Sequence, residues 1–429
     1  MKSIKILALV WMCFYQYGLL TAQSADQFWE SITENEVVNV EGIRELFPNR
    51  PNYLKLNINR LRQLLQQVPN ETNVALTESP IKFSIPLPNG VKVTFKVVSY
   101  DMLEPSLAAR FPDIKNFKGV AIDDPTCTLR FDWTGRGFRG MIRWKGELIF
   151  VDPYTRSNRE FYLSYFKKDY ANTQEFQCLF DGKEEFRENP NLSTDKSAGD
   201  CQLRTYRLAV ATTGEYSNYF GATSAEQSNL VFNEVNTAIN RVNEVYERDL
   251  GVRLVLIANT NSVFYYNAAT DPYDNFSGST MLGQNQTTLD NVIGTNNYDI
   301  GHVFSTGGGG IATLRSPCSL SLKGRGVTGL PNPINDAFYI DYVAHEIGHQ
   351  FGGNHSFNNS CGGNRNTSTA YEPGSGSTIM SYAGICPQNV QNNSDDYFIA
   401  LAYKKWATLS RGREIAAQPL SLPPTPRPL

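Results

Sequence analysis

Three of the four histidines in the chain lie in one short segment, the string YIDYVAHEIGHQFGGNHS at 339–356. On a helix, His345 and His349 lie one turn apart on the same face, close enough to share one metal ion. Gly352 can end that helix with a positive φ, which lets His355 approach the same ion. Three neutral imidazoles leave one coordination position of Zn²⁺ open, as in catalytic zinc sites. Glu346 is then placed to take a proton from a water molecule and pass it to a leaving amine.

The residues around the histidines support a helix. Val343, Ile347 and Phe351 recur every four residues and form an apolar stripe that can be buried. The full H-E-x-x-H-x-x-G-x-x-H string is far more specific than the two-histidine core alone. Asp341 lies one turn before His345. We interpret it as an acidic residue in the first helical turn that interacts favourably with the helix dipole. The alternative is that its carboxylate orients one of the histidine ligands. The fourth histidine, His302, is interpreted as a buried strand residue rather than a ligand.

The string at 345–355 resembles the zinc-binding consensus of the metzincin metallopeptidases. The segment STIMSY at 377–382 resembles the Met-turn of that clan, which implies that Met380 forms an apolar floor beneath the histidines and is not a ligand. Gly310-Ile311-Ala312, followed by Cys318, is similar to the edge strand of the reprolysin (adamalysin-like) family. The chain therefore resembles a bacterial-type, reprolysin-like metallopeptidase over about residues 201–410. The resemblance implies an α/β (α+β) catalytic domain with a twisted mixed sheet, an active-site helix and a Met-turn.

Two positions depart from the reprolysin pattern. Ser356 follows the third histidine, where reprolysins usually carry Asp. Tyr382 follows Met380 by two residues, as in astacins and serralysins, which implies that Tyr382 can help to stabilise an oxyanion. The alternative is a packed aromatic residue without a catalytic role. The resemblance also implies that peptide substrates bind as an added strand along 308–314.

Charge and composition constrain the partners. The net charge of −3 and the absence of basic blocks do not indicate a nucleic-acid partner. Lys2 and Lys5 precede an apolar run from Ile6 to Leu20, a pattern typical of a secretory signal peptide. The alternative is a transmembrane anchor, but the run is short for a membrane span. We therefore expect a secreted, extracellular protein without a stable membrane anchor.

Changes in hydrophobic pattern and composition along the chain indicate five segments. Short alternating strands dominate the first half, for example at 81–85, 91–98, 128–133 and 138–144, which predicts a β-rich domain that resembles a propeptide. A polar stretch without apolar periodicity then predicts an exposed linker open to proteolytic processing. The predicted organisation is a signal peptide at 1–23, a β-rich propeptide-like domain at 24–180, a processing linker at 181–200, a metzincin catalytic domain at 201–411 and a flexible proline-rich tail at 412–429.

Six cysteines follow the predicted signal peptide, and in an exported chain they favour disulfides. Cys361 and Cys386 bracket a short Gly/Ser-rich loop and are the first choice for a pair. Cys127 is a candidate latency ligand, because a thiolate from the propeptide region could occupy the open zinc position. Asp123 or Asp124 could do so with a carboxylate. The preferred alternative is a disulfide between Cys127 and Cys178.

The sequence as a whole predicts a secreted zinc metalloendopeptidase that is made as a latent zymogen and binds protein or peptide substrates. Its cofactor is one catalytic Zn²⁺ held by His345, His349 and His355, with Glu346 as general base and acid. Calcium is a further candidate, but no EF-hand-type spacing supports it. The competing hypothesis is a metzincin-like binding module without catalysis, which would require a damaged motif.

Overall fold

The computed structural model describes the chain at residues 28–170, 176–180 and 202–399. Three predicted segments, the signal peptide at 1–23, the linker at 181–200 and the tail at 412–429, lie outside these residues. Among the described residues, no helix combines the length and the apolar composition that crossing a membrane requires. The two large described parts each form one β-sheet, and a long helix lies between the sheets.

The first sheet is antiparallel and has nine strands in the order β1-β2-β9-β8-β7-β6-β5-β4-β3. Its alternating side chains build two faces, as period-2 strands must. Phe117, Leu129, Phe131 and Phe138 belong to an apolar cluster that also includes the buried side of helix α1. The strands are β1 Trp29–Ile32, β2 Asn52–Leu56, β3 Lys82–Pro86, β4 Lys92–Ser99, β5 Lys115–Ala121, β6 Thr128–Thr134, β7 Gly137–Trp144, β8 Glu147–Pro153 and β9 Phe161–Phe166. The helices of this part are α1 Ile58–Leu65 and α2 Pro105–Arg110.

The second sheet is mixed, with five strands in the order β11-β10-β12-β14-β13. All neighbouring pairs are parallel except β13 and β14, so the short strand β13 lies antiparallel at one edge. The strands are β10 Arg204–Thr212, β11 Val252–Leu256, β12 Ile300–Ser305, β13 Gly310–Ala312 and β14 Gly326–Gly329. The helices are α3 Gly214–Tyr219, α4 Ser228–Leu250, α5 Gly278–Leu289 and α6 His345–Gln350. A mixed α/β domain that follows a β-rich part agrees with the predicted fold class.

Helix α4 is buried on every side from Val231 to Tyr246. Its apolar side packs into the core of the second part, and Gly251 ends the helix at φ 62°, as expected of a left-handed C-cap. Its other side carries polar residues, and these hydrogen-bond to the first sheet. Asn236 exchanges hydrogen bonds with Asn116 at 2.9 and 3.0 Å, and Thr237 donates to Asp132 at 3.0 Å. The helix is therefore shared by the two parts, which form one continuous packing unit.

Buried ion pairs reinforce this contact. Glu234 of α4 pairs with Arg139 of β7, with its carboxylate oxygen 2.8 Å from Nη1. Lys167, just after β9, lies between the carboxylates of Asp336 and Asp341, with Nζ 2.8 and 2.9 Å from their oxygens. Asp341 belongs to the π-helical segment Ala337–Ala344 that leads into α6. The first part thus contacts the segment that carries the histidines.

Candidate metal centre

The histidine segment forms a buried helix, as predicted. The π-helical segment Ala337–Ala344 continues into α6, and every residue of α6 is buried. Val343, Ile347 and Phe351 are buried in the main apolar core. The chain turns at Gly352, whose φ of 98° suits glycine. This turn brings His355 back toward the face of α6 that carries His345 and His349.

The three histidine rings are oriented by the backbone. Because a carbonyl oxygen can only accept a hydrogen bond, each Nδ1 must carry the proton and donate it. Each Nε2 is then an unprotonated acceptor that faces the other rings. The donated bonds run from His345 Nδ1 to Ile379 O at 2.6 Å, from His349 Nδ1 to Gly353 O at 2.7 Å and from His355 Nδ1 to Asn364 O at 2.8 Å.

The Nε2 atoms converge on a common point. Those of His345 and His349 are 3.1 Å apart, and the candidate ligand atoms of the three histidines and Cys178 all lie within 4.8 Å of one another. Burial lowers the pKa of His345 to about 4 and holds those of His349 and His355 well below the usual value, so the rings are neutral. Buried lone pairs at this separation repel one another unless a cation lies between them. The donor set therefore fits Zn²⁺.

Glu346 lies beside this group and is fully buried. Burial raises the pKa of Glu346 to about 8, and the neighbouring Cys178 thiol partly offsets this rise. The carboxylate also lies against the edge strand, because a Cβ placed on Gly310 would be 2.2 Å from Glu346 Oε1. A buried carboxyl group next to a candidate metal centre suits a general base.

Met380 lies beneath α6. A Cβ on Gly348 would be 2.6 Å from Met380 Sδ, and the backbone carbonyl of Met380 accepts a hydrogen bond from Ser356 N at 3.0 Å. Glu372 organises the same turn: its carboxylate accepts hydrogen bonds from Ser377 N at 2.7 Å and Thr378 N at 3.0 Å. These contacts hold the segment after the helix against the histidines.

Tyr382 contacts the histidine group through its ring, and its hydroxyl contacts Asn364 and the backbone of Cys178. The ring centroid lies 4.6 Å from that of His355, and burial holds the pKa of the phenol above its ordinary value. The phenol is therefore a neutral donor, and its hydroxyl lies 3.4 Å from the carbonyl oxygen of Cys178. The Nδ2 of Asn364 donates to the Tyr382 hydroxyl oxygen at 2.9 Å. Asn364 was not a sequence-based candidate, because a single Asn in a polar loop carries no pattern.

The thiol that faces the histidines is that of Cys178, and the prediction of Cys127 is corrected. Cys178 Sγ lies 3.7 Å from His349 Nε2 and 3.6 Å from His355 Nε2. Cys127 is instead buried in the apolar cluster of the first sheet, where burial raises its thiol pKa to about 12. Neither cysteine is in a disulfide, so the predicted pair between them is wrong. Of the two acidic alternatives, Asp124 accepts hydrogen bonds from Thr126 in a local turn, and Asp123 is exposed.

The segment 176–180 occupies the space in front of the histidines. Leu179 N donates to Gly310 O at 2.7 Å and Gly310 N donates to Gln177 O at 2.9 Å, so the segment forms a parallel bridge with β13. The Phe180 ring stacks on His349 at 4.3 Å between centroids, and Phe176 stacks on Tyr342 at 3.7 Å. Residues next to the predicted linker therefore cover the candidate metal centre.

Three further predictions can be compared with the structure. The disulfide between Cys361 and Cys386 is confirmed. The carboxylate of Asp341 pairs with Lys167, and the Nδ1 of His345 donates to Ile379 O instead. His302 is buried on β12, with Nδ1 2.8 Å from Gln350 Oε1 and Nε2 2.8 Å from Thr328 Oγ1, which agrees with a structural role.

The chain was compared with protein families, curated proteins and solved structures. Residues 202–404 match the family model described as Metallo-peptidase family M12B Reprolysin-like, which confirms the predicted resemblance of this segment. Among solved structures, the crystal structure of metalloproteinase-II from Bacteroides fragilis matches with a TM-score of 0.44 and 10% sequence identity, over 81% of this chain and 94% of that chain. No curated protein matches the chain.

Proposed function

We propose that this reprolysin-like protein is a zinc-dependent metalloendopeptidase that is held latent by its own segment 176–180. One observation carries the proposal: the Nε2 atoms of three buried, neutral histidines converge beside the carboxylate of Glu346. Three nitrogen ligands leave a metal position open, which distinguishes a catalytic zinc site from a structural one. The reprolysin-like match over residues 202–404 supports peptide bonds as the substrate.

The side chains of this site have separate roles in hydrolysis. A zinc ion supplies Lewis-acid chemistry, which favours the attack of water on a peptide carbonyl. Glu346 accepts the proton of the attacking water and then donates it to the leaving amine. The backbone carbonyls that bind each histidine Nδ1 keep Nε2 free to coordinate. The Tyr382 hydroxyl is a neutral hydrogen-bond donor beside the backbone of Cys178.

Strand β13 is the proposed docking edge for substrate. Its residue Gly310 already donates and accepts a backbone hydrogen bond with the segment 176–180. A peptide substrate that replaces this segment can use the same backbone groups, as in other cases of strand addition. Backbone recognition of this kind binds extended peptides with little sequence preference. Protein and peptide substrates are therefore expected to bind as an added strand next to Glu346.

Latency follows from the occupation of the same space by the chain itself. The Cys178 thiol lies beside His349 and His355, and the Phe180 ring covers His349. A thiolate is a strong ligand for Zn²⁺ and would take the position that water needs. Cleavage in the 181–200 region would free one end of this segment and allow it to leave the cleft.

We further propose that the protein is exported. The sequence begins with the pattern of a signal peptide, and the disulfide between Cys361 and Cys386 is typical of an oxidising compartment. Cell fractionation and amino-terminal sequencing of the mature protein test this directly. Recovery of the uncleaved chain only from the cytoplasm would contradict it.

The catalytic proposal is tested with casein as the substrate. The purified chain is assayed before and after limited proteolysis in the 181–200 region, with and without a chelator, and with zinc added back. We expect cleavage of casein only after processing, its loss with the chelator and its return with zinc. Glu346→Ala should be inactive under all conditions. An active Glu346→Ala variant, or casein cleavage that resists the chelator, would contradict the proposal.

The latency proposal is tested separately in the unprocessed chain. Cys178→Ala removes the thiol that faces the histidines, whereas Cys127→Ala removes a buried thiol in the first sheet and is the matched control. We expect Cys178→Ala to cleave casein without processing, and Cys127→Ala to remain latent. Equal latency of the two variants would show that the thiol does not hold the site closed.

A further inference from the structure

We infer that the side-chain amide of Asn364 binds the carbonyl oxygen of the peptide substrate at the scissile bond, together with the Tyr382 hydroxyl. This inference rests on the proposed peptidase function and assigns a catalytic residue that lies outside the H-E-x-x-H-x-x-G-x-x-H string. The observation that carries it is that Asn364 and Tyr382 hold a peptide carbonyl, that of Cys178, whose thiol lies beside the candidate metal ligands.

The carbonyl oxygen of Cys178 is held by two side chains. Asn364 Nδ2 donates to it at 2.9 Å, and the Tyr382 hydroxyl lies 3.4 Å from it. Asn364 Nδ2 also donates to the Tyr382 hydroxyl oxygen at 2.9 Å. The reverse orientation of the amide would place its oxygen against the carbonyl oxygen, so the contacts fix which end of the amide faces the cleft.

This carbonyl lies in a segment that runs along the proposed substrate edge. It belongs to the residue whose Sγ is 3.6 Å from His355 Nε2, and the segment is bound to the edge strand by its backbone at Gly310. An extended peptide on the same edge presents a carbonyl oxygen to the same two donors. The contacts of the segment 176–180 thus identify a position that binds a backbone carbonyl, whatever the side chain of the bound residue.

The position of Asn364 is set by the histidine group. Its backbone carbonyl accepts the hydrogen bond from His355 Nδ1 at 2.8 Å, so the loop that carries the amide is aligned with one of the candidate ligands. The disulfide between Cys361 and Cys386 joins this loop to the residues that follow Tyr382. A preorganised donor of this kind contributes more to the stabilisation of a developing oxyanion than to ground-state binding.

The first experiment measures kcat and KM on the processed, zinc-loaded enzyme. Asn364→Ala and Asn364→Asp both remove the donor and keep the backbone carbonyl that binds His355. We expect kcat to fall by about 10²-fold or more in both, with KM changed by only a few-fold and the zinc content unchanged. Thr367→Ala is the control, because Thr367 is exposed on the same loop, and it should match the wild-type enzyme.

A second readout does not depend on turnover. The pentapeptide Phe-Gln-Ala-Leu-Phe copies residues 176–180 without the thiol, and calorimetry measures its binding to the processed protein after removal of zinc. Its affinity should weaken by a few-fold in Asn364→Ala and remain unchanged in Thr367→Ala, as expected for one lost hydrogen bond to a carbonyl. The double variant Asn364→Ala/Tyr382→Phe should lose less kcat than the product of the two single losses, since the two side chains bind the same oxygen.

The outcomes separate this inference from the proposed function. A wild-type enzyme that cleaves no peptide after processing sinks the proposed function and the inference with it. An active wild-type enzyme with normal kcat and peptide binding in Asn364→Ala overturns the inference alone. Loss of zinc in Asn364→Ala also overturns it, because the residue would then act through His355 rather than on the substrate.

Discussion

Lys167 is expected to be essential for the contact between the first sheet and the histidine segment. Its ammonium group lies 2.8 and 2.9 Å from carboxylate oxygens of Asp336 and Asp341, and all three side chains are at most 11% exposed. Lys167→Met keeps the aliphatic length and removes the ammonium charge that pairs with both carboxylates. Removing one partner of a buried ion pair costs about 3–5 kcal/mol, because the remaining charge is left without compensation.

The neighbouring residue provides a matched control. Lys168 pairs with Glu147, but these side chains are 59% and 37% exposed. Lys168→Met should therefore cost less than about 1 kcal/mol. At about 2 °C per kcal/mol for a protein of this size, Tm should fall by about 6–10 °C in Lys167→Met and by no more than about 2 °C in Lys168→Met. Differential scanning calorimetry of the unprocessed chain measures both.

The loss of stability in Lys167→Met should also depend on pH. Burial raises the pKa of Asp341 to about 7, and Lys167 opposes this rise. The folded state therefore binds a proton more tightly than the unfolded state, and stability is lost as pH rises from about 4 toward the folded pKa. Without Lys167 the pKa of Asp341 in the folded state rises further. The loss of stability in Lys167→Met should therefore be small at pH 5 and large at pH 8. A Tm equal to that of Lys168→Met at both pH values would refute this reasoning.

Three further predictions follow from single contacts. Gly310→Ala places a Cβ 2.2 Å from Glu346 Oε1 and should displace that carboxyl group. The kcat on casein should therefore fall at least about tenfold without loss of zinc. Full activity would contradict this close contact. Burial lowers the pKa of His302 to about 4, so the neutral ring contributes stability above pH 6.5 that should be lost as pH falls toward 4, by about 3 kcal/mol. In denaturant titrations, His302→Gln should lack this contribution to the pH dependence of the free energy of unfolding. An equal pH dependence in the two proteins would contradict the assignment. The double variant Cys361→Ser/Cys386→Ser opens a loop with a sequence separation of 25 and should lose about 3 kcal/mol in the same titration, whereas an unchanged midpoint would show that the loop is constrained by other contacts.

The local features of the site could be predicted from the sequence. The four-residue spacing of His345 and His349 and the glycine at 352 determine a helix, a turn and the approach of a third histidine. The pair Cys361 and Cys386 is close in sequence and brackets one loop, so it too could be inferred. Each of these inferences depends on residues within about one loop or helix of one another.

The long-range features could not be predicted in this way. Cys178 precedes His349 by more than a hundred residues, and only the path of the chain along β13 brings its thiol to the histidines. Helix α4 carries an apolar stripe that the sequence reveals, but its polar side is buried as well, because Asn236 and Thr237 find partners on the first sheet. Polar residues on a helix normally predict a solvent-exposed face, so the pattern gives no sign of this contact.

The central claim, that His345, His349 and His355 hold one catalytic zinc ion, is tested most directly by the metal content of the purified chain. Elemental analysis should find one zinc per chain in the wild-type protein, a similar content in Glu346→Gln and almost none in His349→Ala. Unchanged zinc in His349→Ala, or a wild-type protein that binds no zinc when it is supplied in excess, would contradict the account.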